Sequence, residues 1–501
     1  MVKSVLRIVG ILAAIFFSLM LLFFVIRGTV DKHKYSKEVY EKIESVENGL
    51  AGWVQNSSHT LKWSIEERMA SYNVPGVSIA VIDNYKIEWA KGYGWADVGE
   101  KRSVTDKTLF QAASISKSLN AVGVLKLVQE GKLDLNADIN NYLTSWKFPY
   151  DSLSEGKRIT LSALLSHTAG LSINGFPGYA QGEPLPAIIE ILNGTPPANT
   201  EAVRSQFAPD TKPQYSGGGT TISQLVVEDV THQPYEKYMQ QEVLNPLKMY
   251  ASSYNQPPVA PAHLLSTAYN ADGSEVEGKH HIYPEQAAAG LWTNPTELAK
   301  YIIEMQLSYI GKSEKVLSQR TVRTMMTPPL DEPYNAAGYI TALGVFREKA
   351  GSELYFQHSG SNEGFLGHYY GDLSNGKGVV IMTNSASSGI IREILNSVAT
   401  VYNWAGFYNP EVKDLIILEN LDRYTGKYMS DSAMRGFSLF NIVKRDGKLF
   451  LENHLSRQIY FTSQEDFFTT ELRGDCKFMF DDNGNVTGFT FGNLSFDKKN
   501  E

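Results

Sequence analysis

Phe110-Gln-Ala-Ala-Ser-Ile-Ser-Lys-Ser-Leu119 opens a run in which Leu119, Val122, Leu125 and Val128 recur at helical spacing until Gly131 supplies a stop. Ser114 and Lys117 stand at i and i+3 at the head of that run. On a helix they share a face, and the amine can reach the hydroxyl. A serine hydroxyl is a poor nucleophile until a neighbour takes its proton. If the serine opens the helix, the positive end of the dipole and the free backbone N–H groups also favour negative charge developing there. Taken alone, the four residues 114–117 read first as an ordinary helix cap.

Ser-x-x-Lys is a weak motif, and this chain contains it four times, at Ser114/Lys117, Ser154/Lys157, Ser374/Lys377 and Ser495/Lys498. Ser154 precedes Glu155-Gly156 in a loop-like stretch, Ser374 sits on the Asn375-Gly376 turn, and Ser495 lies in the polar tail. Only Ser114 begins a strong apolar-periodic helix.

Working outward, Val77–Ile82 and Lys86–Ala90 flank Asp83-Asn84 as an early β-hairpin. Residues 135–330 alternate helical patches with Pro/Gly-rich loops. Strand signals return at Ala342–Phe346, Leu354–His358, Leu366–Tyr370 and Val379–Thr383. A helical middle bracketed by strands from both ends predicts an α+β fold, one antiparallel sheet assembled from distant segments plus a helical region. After about Glu411, short alternating runs separated by Arg445-Asp-Gly447 and Asp482-Asn-Gly484 predict a small all-β domain.

Four motifs follow one another along the chain. They are Phe110–Leu119, Ile159-Thr-Leu-Ser-Ala-Leu-Leu-Ser-His-Thr-Ala-Gly-Leu171, Gln214-Tyr-Ser-Gly-Gly-Gly219 and His358-Ser-Gly-Ser361. In order and separation they resemble the penicillin-binding-protein and serine β-lactamase superfamily, most closely its class C β-lactamase, D-alanyl-D-alanine carboxypeptidase and esterase branch. Leu244-Asn-Pro-Leu-Lys-Met249 and Ala288-Ala-Gly-Leu-Trp-Thr293 are weaker matches in the interval, and the resemblance covers about residues 65 to 405.

The resemblance implies a β-lactamase/transpeptidase-like catalytic domain and a site. Ser114 matches the acylated nucleophile and Lys117 the amine that accepts or relays its proton. Tyr215 matches the tyrosine of a Tyr-x-Asn motif, and His358-Ser359-Gly360 the Lys-Thr-Gly or His-x-Gly strand lining the cleft. The backbone N–H groups of Ser114 and Ser361 would form the oxyanion hole. Read singly, Tyr215 is a loop or buried aromatic and His358 a satisfied strand histidine; His167 reads as structural, shaping a turn.

Two departures bear on substrate. Gly217 stands where the family's amide-binding Asn often does, so that contact is lost or supplied elsewhere. His358 replaces a lysine and is mostly uncharged at neutral pH, which weakens attraction for a substrate carboxylate. No clear counterpart of the class A Ser-Asp-Asn and acidic deacylation motifs is found. The implied function is serine hydrolysis through an acyl-enzyme, on an amide or ester such as a D-amino-acid peptide, a short ester or a β-lactam. The alternative is a non-catalytic surface receptor or scaffold that retains the fold.

Composition narrows the rest. With 54 acidic and 46 basic side chains the net charge is −8, and no basic cluster marks a nucleic-acid partner. Cys476 is the sole cysteine, so no intrachain disulfide or Cys-rich zinc site can form, and the histidines show no metal-binding pattern. No metal or other cofactor is expected, and the sequence leaves the oligomeric state open.

Ile8–Ile26 runs for 19 residues without a charge, a helix of about 28 Å, close to the roughly 30 Å hydrocarbon thickness. No Ala-x-Ala-like site follows it, which favours an uncleaved single-pass anchor over a cleaved signal peptide. Lys3 and Arg7 precede the span, while Arg27, Lys32, Lys34 and Lys37 follow it, so charge does not settle its orientation. The family resemblance implies a body on the exported side, periplasmic or extracellular. The expected organisation is an anchor over 1–30, a helical stalk over 31–64 with Val39, Ile43, Val46 and Leu50 on one face, a catalytic domain over 65–411, and a C-terminal lipocalin-like β domain over 412–501. That last domain could cover the cleft, bind a partner or stabilise the chain.

Overall fold

The computed structural model describes residues 34–58, 60–331, 338–430, 438–474 and 476–499. Eight strands build its central sheet. They are β1 (Gly76–Asp83), β2 (Lys86–Asp97), β3 (Arg102–Ser103), β4 (Tyr339–Thr341), β5 (Phe346–Ala350), β6 (Glu353–Asn362), β7 (Phe365–Asp372) and β8 (Gly378–Thr383). Their spatial order is β3-β2-β1-β8-β7-β6-β5-β4, antiparallel throughout. The two ends of the catalytic domain meet where β1 pairs with β8, Val77 opposite Thr383 and Ile82 opposite Gly378. One sheet from distant segments is therefore what forms.

Side chains alternate across this sheet as the pleat requires. Val77, Ile79 and Val81 join Val379 and Ile381 in one core, whereas Ala80 and Ile82 join Val380 and Met382 in the other. Five helices frame these cores: α1 (Lys37–Glu47), α2 (Ser116–Gln129), α3 (Gly217–Thr231), α4 (Pro295–Tyr309) and α5 (Gly389–Val401). The first core is closed by α1 and α5 through Ile43, Val46, Ile390, Ile394 and Val398. The second is closed by α4, through Leu298, Ile302 and Met305, and by the helical region containing α2 and α3.

The expected stalk is thus part of the body. Ser36 caps α1 by accepting the Val39 N–H, and Ile43 and Val46 are buried against the sheet and α5. Amphipathic spacing distinguishes a packed helix from a solvent-exposed one only if the facing surface is known, and here that surface comes from the far end of the chain. The expected membrane span 8–26 lies outside the described residues. Among those described, no helix is long and apolar enough to cross a membrane.

Two local expectations shift. Of the run 342–346, residues 342–345 form a turn between β4 and β5, because Gly344 takes φ 72° and a Cβ there would lie 2.4 Å from Ala121. α2 is buried on nearly all sides, not along one stripe. Its polar residues are satisfied inside: Ser118 Oγ donates to Gly344 O at 2.8 Å, and Asn120 Nδ2 donates to Ser223 Oγ at 2.9 Å.

The C-terminal region forms a nine-stranded antiparallel sheet running in space from Ser456–Gln458 to Tyr460–Phe461. These edge strands adjoin in sequence, so the sheet curls into a nearly closed barrel. Its interior is filled by aromatic rings, Phe489 stacking on Phe496 at 4.7 Å and Phe467 on Phe478 at 4.4 Å, with Cys476 buried among them. The expected boundary near 411 falls on a strand, Glu411–Lys413, that pairs in parallel with Val54–Asn56. Barrel strands begin at Gly426–Met429.

Candidate active site

Ser114 lies in a one-turn 3-10 helix, Ala113–Ile115, that runs directly into α2. Ala113 has φ 50°, a left-handed conformation that costs free energy for a residue with a Cβ. The strain turns the chain just before the serine. From residue 110 to residue 125, Ser114 alone is not fully buried. It opens onto a cleft of about 700 Å³ that is also lined by Lys117, Tyr215, His358 and Ser361.

Lys117, one helical turn on, donates to Ser114 Oγ at 3.0 Å and to the Ala288 carbonyl at 2.7 Å. It is 3% exposed. Among the described residues no carboxylate pairs with it, and burial lowers its ammonium to about 7. A substantial fraction is then the free amine at neutral pH, the form able to take a proton.

Tyr215 immediately precedes the cap of α3, where Ser216 Oγ accepts the Gly219 N–H at 2.9 Å. Tyr215 lines the same cleft as Ser114, and the Lys117 ammonium lies 5.0 Å from its ring centroid. Burial raises the phenol well above its ordinary value, with the Ser114 contact opposing, so the hydroxyl is protonated. His167 stacks beside Tyr215 with centroids 4.3 Å apart and accepts the Ser216 N–H on Nδ1 at 3.2 Å. It fixes the loop that presents Tyr215.

His358 sits on β6 in the cleft wall. Its ring is 2% exposed, 5.1 Å from Phe346 and 6.2 Å from Tyr215. Nδ1 donates to the Ser359 carbonyl at 2.6 Å, and Nε2 has no partner among the described residues. Burial first, then the Lys117 charge, pushes it down to about 3, so the ring is neutral. Alternation along β6 turns Ser359 and Ser361 to the cleft. Gly360 faces the nucleophile's turn instead, where a Cβ would lie 2.2 Å from Ala112 O. Only glycine lets β6 approach Ser114 this closely.

At Gly217, the first residue of α3, a Cβ would lie 3.0 Å from Asn174 O and 3.1 Å from the Phe176 ring. Both Asn174 and Phe176 line the cleft. Sequence reading missed them, because nothing periodic marks the loop after Leu171. Asn174 Nδ2 donates to the Tyr215 carbonyl at 3.4 Å, which ties this loop to the segment carrying Gly217.

The other Ser-x-x-Lys pairs are not brought together. Lys157 donates to Pro209 O while Ser154 bonds Ser205, and Lys498 donates to Arg423 O. Ser374 is held in its turn by Asp372. Among the described residues no group of His, Cys, Asp and Glu side chains could hold a metal ion.

The relative called Protein flp from Staphylococcus aureus (strain MRSA252) is 28% identical over 341 residues, covering 66% of this chain and 63% of that protein. The fold matches an octameric penicillin-binding protein homologue from Pyrococcus abyssi, with TM-score 0.58 and 21% identity over 87% of this chain and 98% of that one. It also matches a D-amino acid amidase from Ochrobactrum anthropi SV3, with TM-score 0.56 and 18% identity over 73% of this chain and all but 1% of that one. A family profile described as Beta-lactamase matches residues 63–396, about two thirds of the 501 residues, and the chain belongs to that family of serine hydrolases.

Proposed function

We propose that this protein hydrolyses an amide or ester through an acyl-enzyme on Ser114. One observation carries the reading: a buried Lys117, without an ion-pair partner among the described residues and with its ammonium lowered to about 7, lies 3.0 Å from Ser114 Oγ. A lysine charged and ion-paired could not act as a base there; a free amine can.

In this mechanism Lys117 takes the Ser114 proton as Oγ attacks the substrate carbonyl carbon. The carbonyl oxygen becomes an oxyanion held by the backbone N–H groups of Ser114 and Ser361. The proton passes to the leaving nitrogen or oxygen, directly from Lys117 or through the Tyr215 hydroxyl. The carbonyl–heteroatom bond then breaks. Water attacks the resulting ester, and its proton returns by the same route to Ser114. D-amino-acid peptides, short esters and β-lactams are the candidate substrates. The test is labelling by a fluorophosphonate, compared with Ser114→Ala. Labelling confined to the wild type is expected, and equal labelling of both would remove Ser114 from the mechanism.

The same proposal places the body on the exported face of a membrane, held through residues 8–26. Cell fractionation of the full chain against a form lacking residues 1–30 tests it, the shorter form being expected in the soluble fraction.

A further inference from the structure

The charge of the cleft points to its substrate. Among the described residues that line it there is no Asp, Glu or Arg, and the two nitrogen bases are Lys117 and His358. Lys117 is already engaged by Ser114 and Ala288. His358, beside Phe346 and Tyr215 in the cleft wall, is 2% exposed and spends its one N–H on Ser359 O. Neither is free to meet an anion. Lys212, beside the lining residue Pro213, lays its ammonium over the Phe207 ring at 4.6 Å.

The remaining lining is of two kinds. Ser359, Ser361 and Asn174 offer uncharged hydrogen-bonding groups, and Phe176, Ile340 and Phe346 offer apolar surface. A carboxylate entering such a cleft sheds hydration without gaining a counter-charge, a cost that an uncharged ester or amide escapes. Apolar walls in turn reward a large apolar substituent, whose burial is favourable in proportion to its area.

We infer that the substrate is an uncharged ester or amide bearing a bulky apolar group, and not one that ends in a free carboxylate. The inference rests on the acyl-enzyme reading above and narrows it. Chemically, the bond broken is between the acyl carbon and a leaving oxygen or nitrogen whose own substituent carries no charge. The products are an acid and a neutral alcohol or amine, and water is the only co-reactant.

The experiment compares two butyrate esters with the same acyl half, 3-(methoxycarbonyl)phenyl butyrate and 3-carboxyphenyl butyrate. Acylation of Ser114 is followed by intact mass and turnover by phenol release, on protein whose Ser114 has been titrated with a fluorophosphonate. The uncharged ester should be favoured by roughly tenfold or more in kcat/KM. Ser359→Lys, which puts a cation on the exposed cleft face of β6, should narrow that ratio. Equal rates, a preference for the carboxylate, or a ratio untouched by Ser359→Lys would overturn the inference. So would a fluorophosphonate-reactive enzyme acylated by neither ester. In each of those cases Ser114 labelling leaves the acyl-enzyme reading standing, whereas loss of labelling brings down both.

Discussion

Lys117 Nζ lies 3.0 Å from Ser114 Oγ while its other bond, 2.7 Å long, goes to the uncharged carbonyl of Ala288. Both partners are neutral, and the amine is all but removed from solvent. The protein thus stabilises the free base by withholding water and counter-charge.

A pH profile follows directly. If Lys117 must be neutral to accept the serine proton, kcat/KM for a neutral ester rises about tenfold per unit below pH about 7 and levels off above it. Tyr215 is held protonated well above this range by burial, so its ionisation adds no descending limb near neutrality. Stopped-flow acylation across the acid and neutral range is the measurement. A flat profile there would assign the base elsewhere.

The same lysine is a stability cost. A lysine whose folded value is depressed binds fewer protons folded than unfolded between about 7 and its ordinary 10.5. Stability therefore rises with pH across that window, and the full penalty is present below it. Lys117→Met keeps most of the side-chain volume without the charge, and should abolish acylation while raising stability at pH 6 by roughly 1–3 kcal/mol. Chemical denaturation of both proteins at acid and alkaline pH checks it, the gain shrinking as pH rises. A destabilised Lys117→Met would show that its two hydrogen bonds outweigh its burial.

Tyr215→Phe separates proton transfer from packing. The ring stacked on His167 remains, so folding should be unchanged. Loss of the hydroxyl beside Ser114 should lower kcat by about 10²-fold or more, the range for one positioned acid–base group. Burst kinetics with an activated ester would show whether the loss falls on acylation or on hydrolysis of the acyl-enzyme. A decrease below about threefold would reduce Tyr215 to a wall of the cleft.

Gly360→Ala tests the close approach of β6 to the nucleophile. The added methyl would sit 2.2 Å from Ala112 O and 3.1 Å from Ala113 Cβ, so strand and turn must part. We expect about 1–3 kcal/mol of destabilisation from overpacking and a larger fall in fluorophosphonate labelling, since Ser361 moves with the strand. Normal labelling at wild-type stability would mean that the strand has slack.

How far the sequence disclosed this site depended on the range of the interactions involved. Ser114 could be told from three other Ser-x-x-Lys serines because the helix it opens is a local pattern. Tyr215 and His358 were reached through spaced motifs, and both line the same cleft. Asn174 was not legible, since its place in the cleft depends on a loop with no period. The packing of α1 and the pairing of Val54–Asn56 with Glu411–Lys413 were hidden for a related reason. Each needs a partner from the opposite end of the chain, and neither partner leaves a mark on the local sequence. Gly344 had the opposite effect, turning a run that reads locally as a strand into a bend.

Arg68 was equally hidden, because a charged residue on a short helix reads as surface. In the structure it is 3% exposed. Its Nε donates to Glu393 Oε2 on α5 at 2.6 Å, and Nη1 donates to Glu471 Oε1, beyond the barrel strand Asp466–Phe468, at 2.8 Å. The guanidinium therefore joins the catalytic domain to the β barrel through two buried carboxylates. Removing it leaves those carboxylates buried without their shared cation, which costs more than the intact pair contributes. Arg68→Ala should lose about 3–5 kcal/mol and divide thermal unfolding into two transitions, the barrel separating first. The set Arg68→Met, Glu393→Gln and Glu471→Gln removes the charges together and should recover most of the loss. A single unshifted transition for Arg68→Ala would show that the barrel is held by its other contacts, among them the Trp53 indole donating to Thr469 O at 3.1 Å.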